Sequence, residues 1–382
     1  MDTFVYQPLD LNTSAFRLVR LLKGPEHEEV ECELIHTTLD ENVIPYEAVS
    51  YTWGTSSQPL RVKLQGKRLA VTVNLWHLLK SIRHIQEDRY LWIDAIAINQ
   101  DDNLERGHQV QRMKAIYGGA ERVIVYLGEQ TGSTRILMES LTALQKTVSG
   151  SHWVSDDQRW QTAWGRVQNE IQFQHDHTAK ETQREGLQEL LERPWFRRVW
   201  ILQEVAYARR VLIYCGTTAV RAQIFAMAPI ILDVELSDHV AAVFELMPTF
   251  FGRALRKPRD GDILSVLLDF RRSQASDPRD KIFALLGLCE DQDIAKQIVP
   301  DYTLEERHIV GRIITYVMNG YYDQLTVSEQ FLSPLGIGEF LNNLALDSPQ
   351  LPEYLETFLI YMLKSPNFQA AESFLSRKKK SH

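Results

Sequence analysis

The stretch "YLWIDAIAINQDDNLERGHQVQRMKAIYGGAERVIVYLGE", residues 90–129, decides how the chain folds. Its first ten residues, 90–99, are too apolar to alternate, which is the pattern of a strand covered on both faces in a parallel sheet. The run stops on hydrogen-bonding side chains, Asn99, Gln100, Asp101 and Asp102. Asp102 stands as an N-cap with Glu105 three residues on, the spacing of a capping box, and Val110, Met113 and Tyr117 then share a helical face. Gly118 and Gly119 end that helix, and 121–129 reads as the next strand.

The same rhythm extends upstream. "YEAVSYTWG", 46–54, is a strand closed by Gly54. "VTVNLWHLLKSIRHI", 71–85, carries Leu75, Leu78, Leu79 and Ile82 at helical spacing, with Asn74 placed as N-cap. Residues 46–129 therefore alternate strand, helix, strand, helix, strand, which predicts an α/β fold with a parallel sheet and helices on its faces. No Gly-x-Gly-x-x-Gly or Gly-Lys-Ser/Thr loop joins these elements, so the familiar phosphate cradles are excluded.

Residues 1–45 read as a β-rich N-terminal extension, and 131–192 as a helical insertion of three helices standing off the sheet. His175 and His177 fall in a polar break of that insertion and read as loop, because no further ligand follows at metal-site spacing. In "RPWFRRVWILQEVAYARRVLIYCG", 193–216, Pro194 fits a first helical turn and Trp195, Val199, Leu202 and Ala206 form one stripe. Arg197, Trp200 and Glu204 take the neighbouring face, and a strand ending at Gly216 follows. The core domain is thus expected over 46–220, with a mostly helical C-terminal region over 221–382.

Composition sets outer limits. The chain has 382 residues, 44% hydrophobic and 24% charged, the balance of an ordinary globular protein with about two or three cores. A net charge of -8 opposes nonspecific binding to a nucleic-acid backbone, so no nucleic-acid partner is expected. The basic run Arg377–Lys380 reads first as a solvated tail and second as a nuclear-import signal. The apolar stretches 224–232 and 357–363 fall far short of a membrane span, and no basic-then-apolar leader opens the sequence, which predicts a cytoplasmic protein. Cys32, Cys215 and Cys289 are scattered without CxxC spacing and are expected to be buried, inert thiols.

Three blocks, "YEAVSYTWG", "LWIDAIAINQDDNLERGHQVQRMKAIYGGAERVIVYLGE" and "RPWFRRVWILQEVA", resemble in this order the blocks of the fungal heterokaryon incompatibility (HET) domain. The later "SDPRDKIFALLGL" and "VPDYTLEE" resemble the segment that often follows it. One departure is Ala97, where the family usually has Cys. The resemblance implies a role in fungal nonself recognition and programmed cell death, and a flavodoxin-like fold similar to Toll/interleukin-receptor (TIR) domains. It also implies partners: a second copy of the chain or another death-signalling protein.

Some TIR domains cleave NAD at the nicotinamide–ribose bond with a glutamate in a Trp-x-x-x-Glu pattern, and "WILQE" here sets Glu204 four residues after Trp200. The resemblance thus makes Glu204 the catalytic candidate and NAD a substrate, with no cofactor or metal expected. In a doubly wound sheet ligands collect beyond the carboxyl ends of the strands. Tyr51, Trp53, Asp94, Asn99, Gln100 and Glu105 fall near such ends and, with Trp200, are the substrate-binding candidates. Plainer readings stand beside each: Glu204 paired with Arg197, Arg198 or Arg106, Glu105 as a cap, Asn99 as a turn residue, and the tryptophans as core. A Ser or Cys hydrolase finds no Gly-x-Ser-x-Gly elbow and no paired Cys–His motif.

Overall fold

A computed structural model describes residues 4–40, 43–54, 57–149, 158–172, 179–249 and parts of 266–313. The chain divides into two compact units, 1–257 and 258–382. The first holds a nine-stranded mixed sheet.

Its strands are β1 (Ala15–Leu21), β2 (Glu31–Thr38), β3 (Glu47–Tyr51), β4 (Leu60–Leu64), β5 (Lys67–Val71), β6 (Arg89–Trp92), β7 (Arg122–Tyr126), β8 (Val211–Cys215) and β9 (Thr218–Arg221). They lie in the order β5-β4-β2-β1-β6-β3-β7-β8-β9. The block β6-β3-β7-β8 is parallel throughout, and by order of appearance it runs second, first, third, fourth, as in flavodoxin-like sheets. The expected α/β fold is therefore present. The N-terminal extension is part of that sheet, because β1 pairs antiparallel with β6, Val19 opposite Leu91, and extends it through β2.

Helix α1 (Val73–Ile82) buries Leu75, Leu78, Leu79 and Ile82, as the spacing predicts. Its N-cap is Thr72, whose hydroxyl accepts from Leu75 N at 3.3 Å, and not Asn74. Asn74 instead donates through Nδ2 to the Thr52 carbonyl at 2.5 Å, tying the helix start to the end of β3. A two-residue turn at Gln65 and Gly66, both at positive φ, joins β4 to β5 in a hairpin that the sequence reading does not anticipate.

The expected strand over 90–99 ends at Trp92. Asp94–Ala97 is one helical turn, α2, closed by Ile96 N and Ala97 N on the Ile93 carbonyl. Ile93, Ile96, Ala97 and Ile98 are all buried, and a short buried turn cannot be told from a buried strand by hydrophobicity alone. Helices α3 (Asn103–Val110) and α4 (Met113–Gly119) follow, separated at Gln111 and Arg112. Asp102 caps α3 as expected, accepting from Leu104 N and Glu105 N, but Glu105 does not complete a capping box, since its carboxylate is engaged elsewhere.

Between β7 and β8 lie α5 (Gly132–Thr147), α6 (Arg159–Gln172) and α7 (Ala179–Leu191), the three helices of the insertion. Helix α5 packs on α7 and also on β8 and β9, so this segment rests against the sheet edge. Gly186 makes the α5–α7 approach possible: a Cβ there would lie 2.5 Å from the Ser133 carbonyl oxygen.

The segment 193–206 is not one helix. Pro194–Arg197 form a 3₁₀ turn, Arg198 is extended with ψ 134°, and α8 (Ile201–Ala206) starts afresh after Trp200. Trp195, Val199 and Leu202 are nonetheless all fully buried. Helices α9 (Ala222–Leu232) and α10 (Asp238–Leu246) pack on β8, β9 and α8 within the first unit.

In the second unit, the helix Pro278–Leu286 is capped by Asp277, and Phe283 meets Tyr302 edge to face at 5.2 Å. Among the described residues, no helix is long and apolar enough to cross a membrane. Cys32 and Cys215 are buried, with burial pushing the Cys32 thiol up to about 12, whereas Cys289 is only half-buried. His175, His177, the 357–363 stretch and the basic run 377–380 lie outside the described residues.

Candidate functional site

The chain leaves β3 toward β6 on one side and toward β7 and β8 on the other, so the topological switch point lies between β3 and β7. A polar cluster occupies the carboxyl ends of the strands there. Ser50 and Tyr51 close β3, Asp94 follows β6, Tyr117 comes from α4, Arg198 directly follows the 3₁₀ turn, and Glu204 comes from α8.

Glu204 is 1% exposed. Burial raises its carboxyl to about 7, against the pull of Arg198 and of the Ser50 and Tyr117 hydroxyls, while the nearby Asp94 charge raises it further. Arg198 Nη1 stands 3.9 Å from Glu204 Oε1, an ionic approach too long for a hydrogen bond, and donates to the Tyr51 carbonyl. Among the described residues, Glu204 Oε2 and the Tyr51 hydroxyl have no partner. Burial, with the Asp94 charge, holds the Tyr51 hydroxyl well above its usual range.

Asp94 starts α2, where its charge suits the helix N-terminus. Its Oδ1 accepts from Ala95 N at 2.8 Å and its Oδ2 from the Trp53 indole at 3.0 Å. Burial raises the Asp94 carboxyl, offset in part by Arg198 and these two donors. Trp53 remains 37% exposed, so its ring lies at the rim of the cluster. Gln100 Nε2 donates to the Asp94 carbonyl at 3.1 Å and fixes the turn from beneath.

The other candidates lie apart from this cluster or serve the backbone. Glu105 is clasped by Arg17, with Nη1 2.7 Å from Oε1 and Nη2 2.9 Å from Oε2, and Oε1 also accepts from Asn99 N at 2.6 Å. The Asn99 side chain turns back to Asp101 N at 3.4 Å, a loop-holding role. Trp200 is half-buried, and its carbonyl accepts from Gln203 N and Glu204 N, which starts α8.

The structure thus brings together Glu204, Asp94, Tyr51 and Trp53, with Gln100 in support. Ser50, Tyr117 and Trp195, which the sequence reading leaves out of the site, belong to it. The Trp195 indole donates to Ser50 Oγ at 2.8 Å and Tyr117 donates to the Val49 carbonyl at 3.1 Å. Ser50 sits inside the first block, where a polar residue on a buried strand is the available signal, whereas Trp195, in the third block, shows only its place in the apolar stripe. Of the two raised carboxyl groups facing Arg198, Glu204, at about 7, can exchange a proton near neutral pH or, once ionised, stabilise a developing cation.

Residues 46–204 match the family described as Heterokaryon incompatibility protein (HET). The chain is also similar to Heterokaryon incompatibility protein 6, OR allele, of Neurospora crassa, with 26% identity over 306 residues, 68% of this chain and 45% of the relative. It therefore spans less than half the length of the curated relative it matches. No solved structure matches the chain.

Proposed function

We propose a function from one premise, that this chain is a fungal HET-domain protein through residues 46–204. It acts in heterokaryon incompatibility, as the name of the Neurospora relative suggests, and is an effector of nonself recognition and programmed cell death. It does so by cleaving the nicotinamide–ribose bond of NAD, with Glu204 as the catalytic carboxylate. The similarity to TIR domains on which this chemistry draws is part of the proposal.

One observation carries the chemistry: Glu204 Oε2 and the Tyr51 hydroxyl are both buried and unpartnered at the same switch point. Folded proteins pair nearly all such groups, and a catalytic or ligand-binding role is one reason for two of them to stand unpaired in one place. Breaking a glycosidic bond to ribose builds positive charge on the sugar, which a fixed carboxylate stabilises. Trp53 supplies an aromatic surface at the rim for a nicotinamide or adenine ring. The test is nicotinamide release from NAD by the purified full-length chain at concentrations that allow assembly. Glu204→Gln should abolish release while keeping the native circular dichroism, and no consumption by the unaltered chain overturns the reading.

A second reading has its own support. With 1% exposure, Glu204 cannot touch a ribose until the residues above it move, which suits a noncatalytic module that self-associates or recruits another death-signalling protein. In that case Glu204→Gln leaves cell death intact, and surface substitutions on the helices abolish it.

A further inference from the structure

A groove of about 1020 Å³ opens between α7 and the connection from α9 to α10, and its lining includes none of the switch-point residues. Half of its lining residues are apolar, Leu191, Pro229, Ile230, Val234, Leu236 and Val240. Ile230 is 48% exposed although it sits on a helix otherwise almost wholly buried. The left-handed Asp233, φ 53°, ends that helix, its N–H returning to the Ile230 and Pro229 carbonyls, and turns the chain into the connection to α10.

The rim is acidic. Glu192, Asp233 and Glu235 line it, against one guanidinium, Arg184, which is bound to the Asp233 carbonyl at 2.7 Å. The connection itself, "DVELSD" over 233–238, alternates carboxylates with apolar residues and contains no basic side chain. Asp233 and Glu235 are exposed, while Val234 and Leu236 are half-buried. An apolar trough edged by carboxylates selects an apolar side chain flanked by positive charge, and it rejects acidic competitors by like-charge repulsion.

We propose that this groove docks a short segment of a partner protein in which one or two aliphatic side chains are flanked by lysine or arginine. The aliphatic group covers Ile230, and the cations face Glu192, Asp233 and Glu235. Affinity then depends on both terms, so charge alone or apolarity alone is insufficient.

The test uses the full-length chain and two fluorescein-labelled twelve-residue peptides with a central Leu-Leu pair, one flanked by lysines and the other by glutamates. Fluorescence anisotropy should show saturable binding of the lysine peptide and at least tenfold weaker binding of the glutamate peptide. Ile230→Asp should weaken the lysine peptide at least tenfold, and Glu192→Lys with Glu235→Lys should reverse the preference. Ile230 and both glutamates are exposed, so these variants should keep the native unfolding transition. Hydrogen exchange should slow over 184–192 and 229–240 when the lysine peptide is bound. Equal binding of both peptides, binding indifferent to the substitutions, or concentration-dependent dimerisation through Ile230 would each overturn the proposal.

Discussion

Arg17 on β1 and Glu105 on α3 form a two-pronged ion pair in the interior, at 2.7 and 2.9 Å, with side chains 0% and 3% exposed. Arg17 also donates to the carbonyls of Ala97 and Gln7, and its guanidinium lies 5.1 Å from the Tyr6 ring centroid. His108 and Gln109 bond the carbonyls of Thr13 and Ala15 beside it. The polar part of the "NQDDNLERGHQ" stretch therefore clamps the N-terminal strand to the sheet. Removing one partner leaves the other as a buried unpaired charge, so Glu105→Ala should cost about 3–5 kcal/mol in urea unfolding. The paired change Arg17→Met with Glu105→Leu should cost much less than Glu105→Ala alone. A loss under about 1 kcal/mol for Glu105→Ala would show that the pair is not desolvated.

Glu204 gives the chain a pH dependence of unusual sign for a carboxylate. Its folded-state value of about 7 stands above its ordinary 4.5, so between these limits the folded state holds a proton that the unfolded state has released. Stability attributable to Glu204 is full below pH 4.5 and falls as pH rises to 7, by about 3 kcal/mol in all, then levels off. Glu204→Gln keeps the shape and removes the titration. The difference in unfolding free energy between the two proteins should therefore move by that amount between pH 4.5 and 7.5, in favour of the variant at the higher pH. A difference that stays flat across this range would show that Glu204 is not raised.

The parts of this fold readable in the sequence are those with long, repeated signals. The stripe Leu75, Leu78, Leu79, Ile82 gives α1, and the alternation over 46–129 gives the parallel order of β3, β6 and β7. Short elements escape. Asp94–Ala97 reads as strand because all its surroundings are apolar, and the 3₁₀ turn at Pro194–Arg197 reads as helix because its spacing nearly coincides with one. Glu204 and Asp94 are legible as polar residues in apolar contexts, but nothing in the sequence says that Arg198 reaches the Tyr51 carbonyl or that Glu105 pairs with Arg17 across 88 positions. The Arg17 contact depends on the register of β1 on β6, and the Arg198 contact on the extended backbone between the 3₁₀ turn and α8, neither of which hydrophobic patterning encodes.

Ser50 and Trp195 test the floor of the candidate site. Their 2.8 Å hydrogen bond is buried, and it satisfies the only donor of the indole. Ser50→Ala leaves that donor without its partner and should lower stability by about 1–3 kcal/mol in chemical denaturation. The same change removes a hydroxyl that holds the Glu204 carboxyl down, so the pH midpoint of the Glu204-linked stability should rise. An unchanged midpoint would mean that Ser50 serves the tryptophan alone.

Gly186 tests the packing of α7 on α5, a relationship invisible in a helix pattern where glycine looks like a weakness. A methyl group placed there would lie 2.5 Å from the Ser133 carbonyl oxygen, 2.7 Å from its carbon and 3.1 Å from Thr134 N, all backbone atoms of the first turn of α5. Backbone cannot step aside as a flexible side chain can, so the helices must separate. In an exposed helix, Gly→Ala would gain about 1 kcal/mol from propensity. Here the overpacking term, about 1–3 kcal/mol, acts in the opposite direction and leaves a net loss or at best no gain. Helix separation would also strain the Glu189 carboxylate, which accepts from Thr131 Oγ1 at 2.7 Å and Ser133 Oγ at 3.0 Å. Gly186→Ala should therefore lower the unfolding midpoint and speed hydrogen exchange at the start of α5. Stabilisation by the full helix-propensity increment would disprove the close approach.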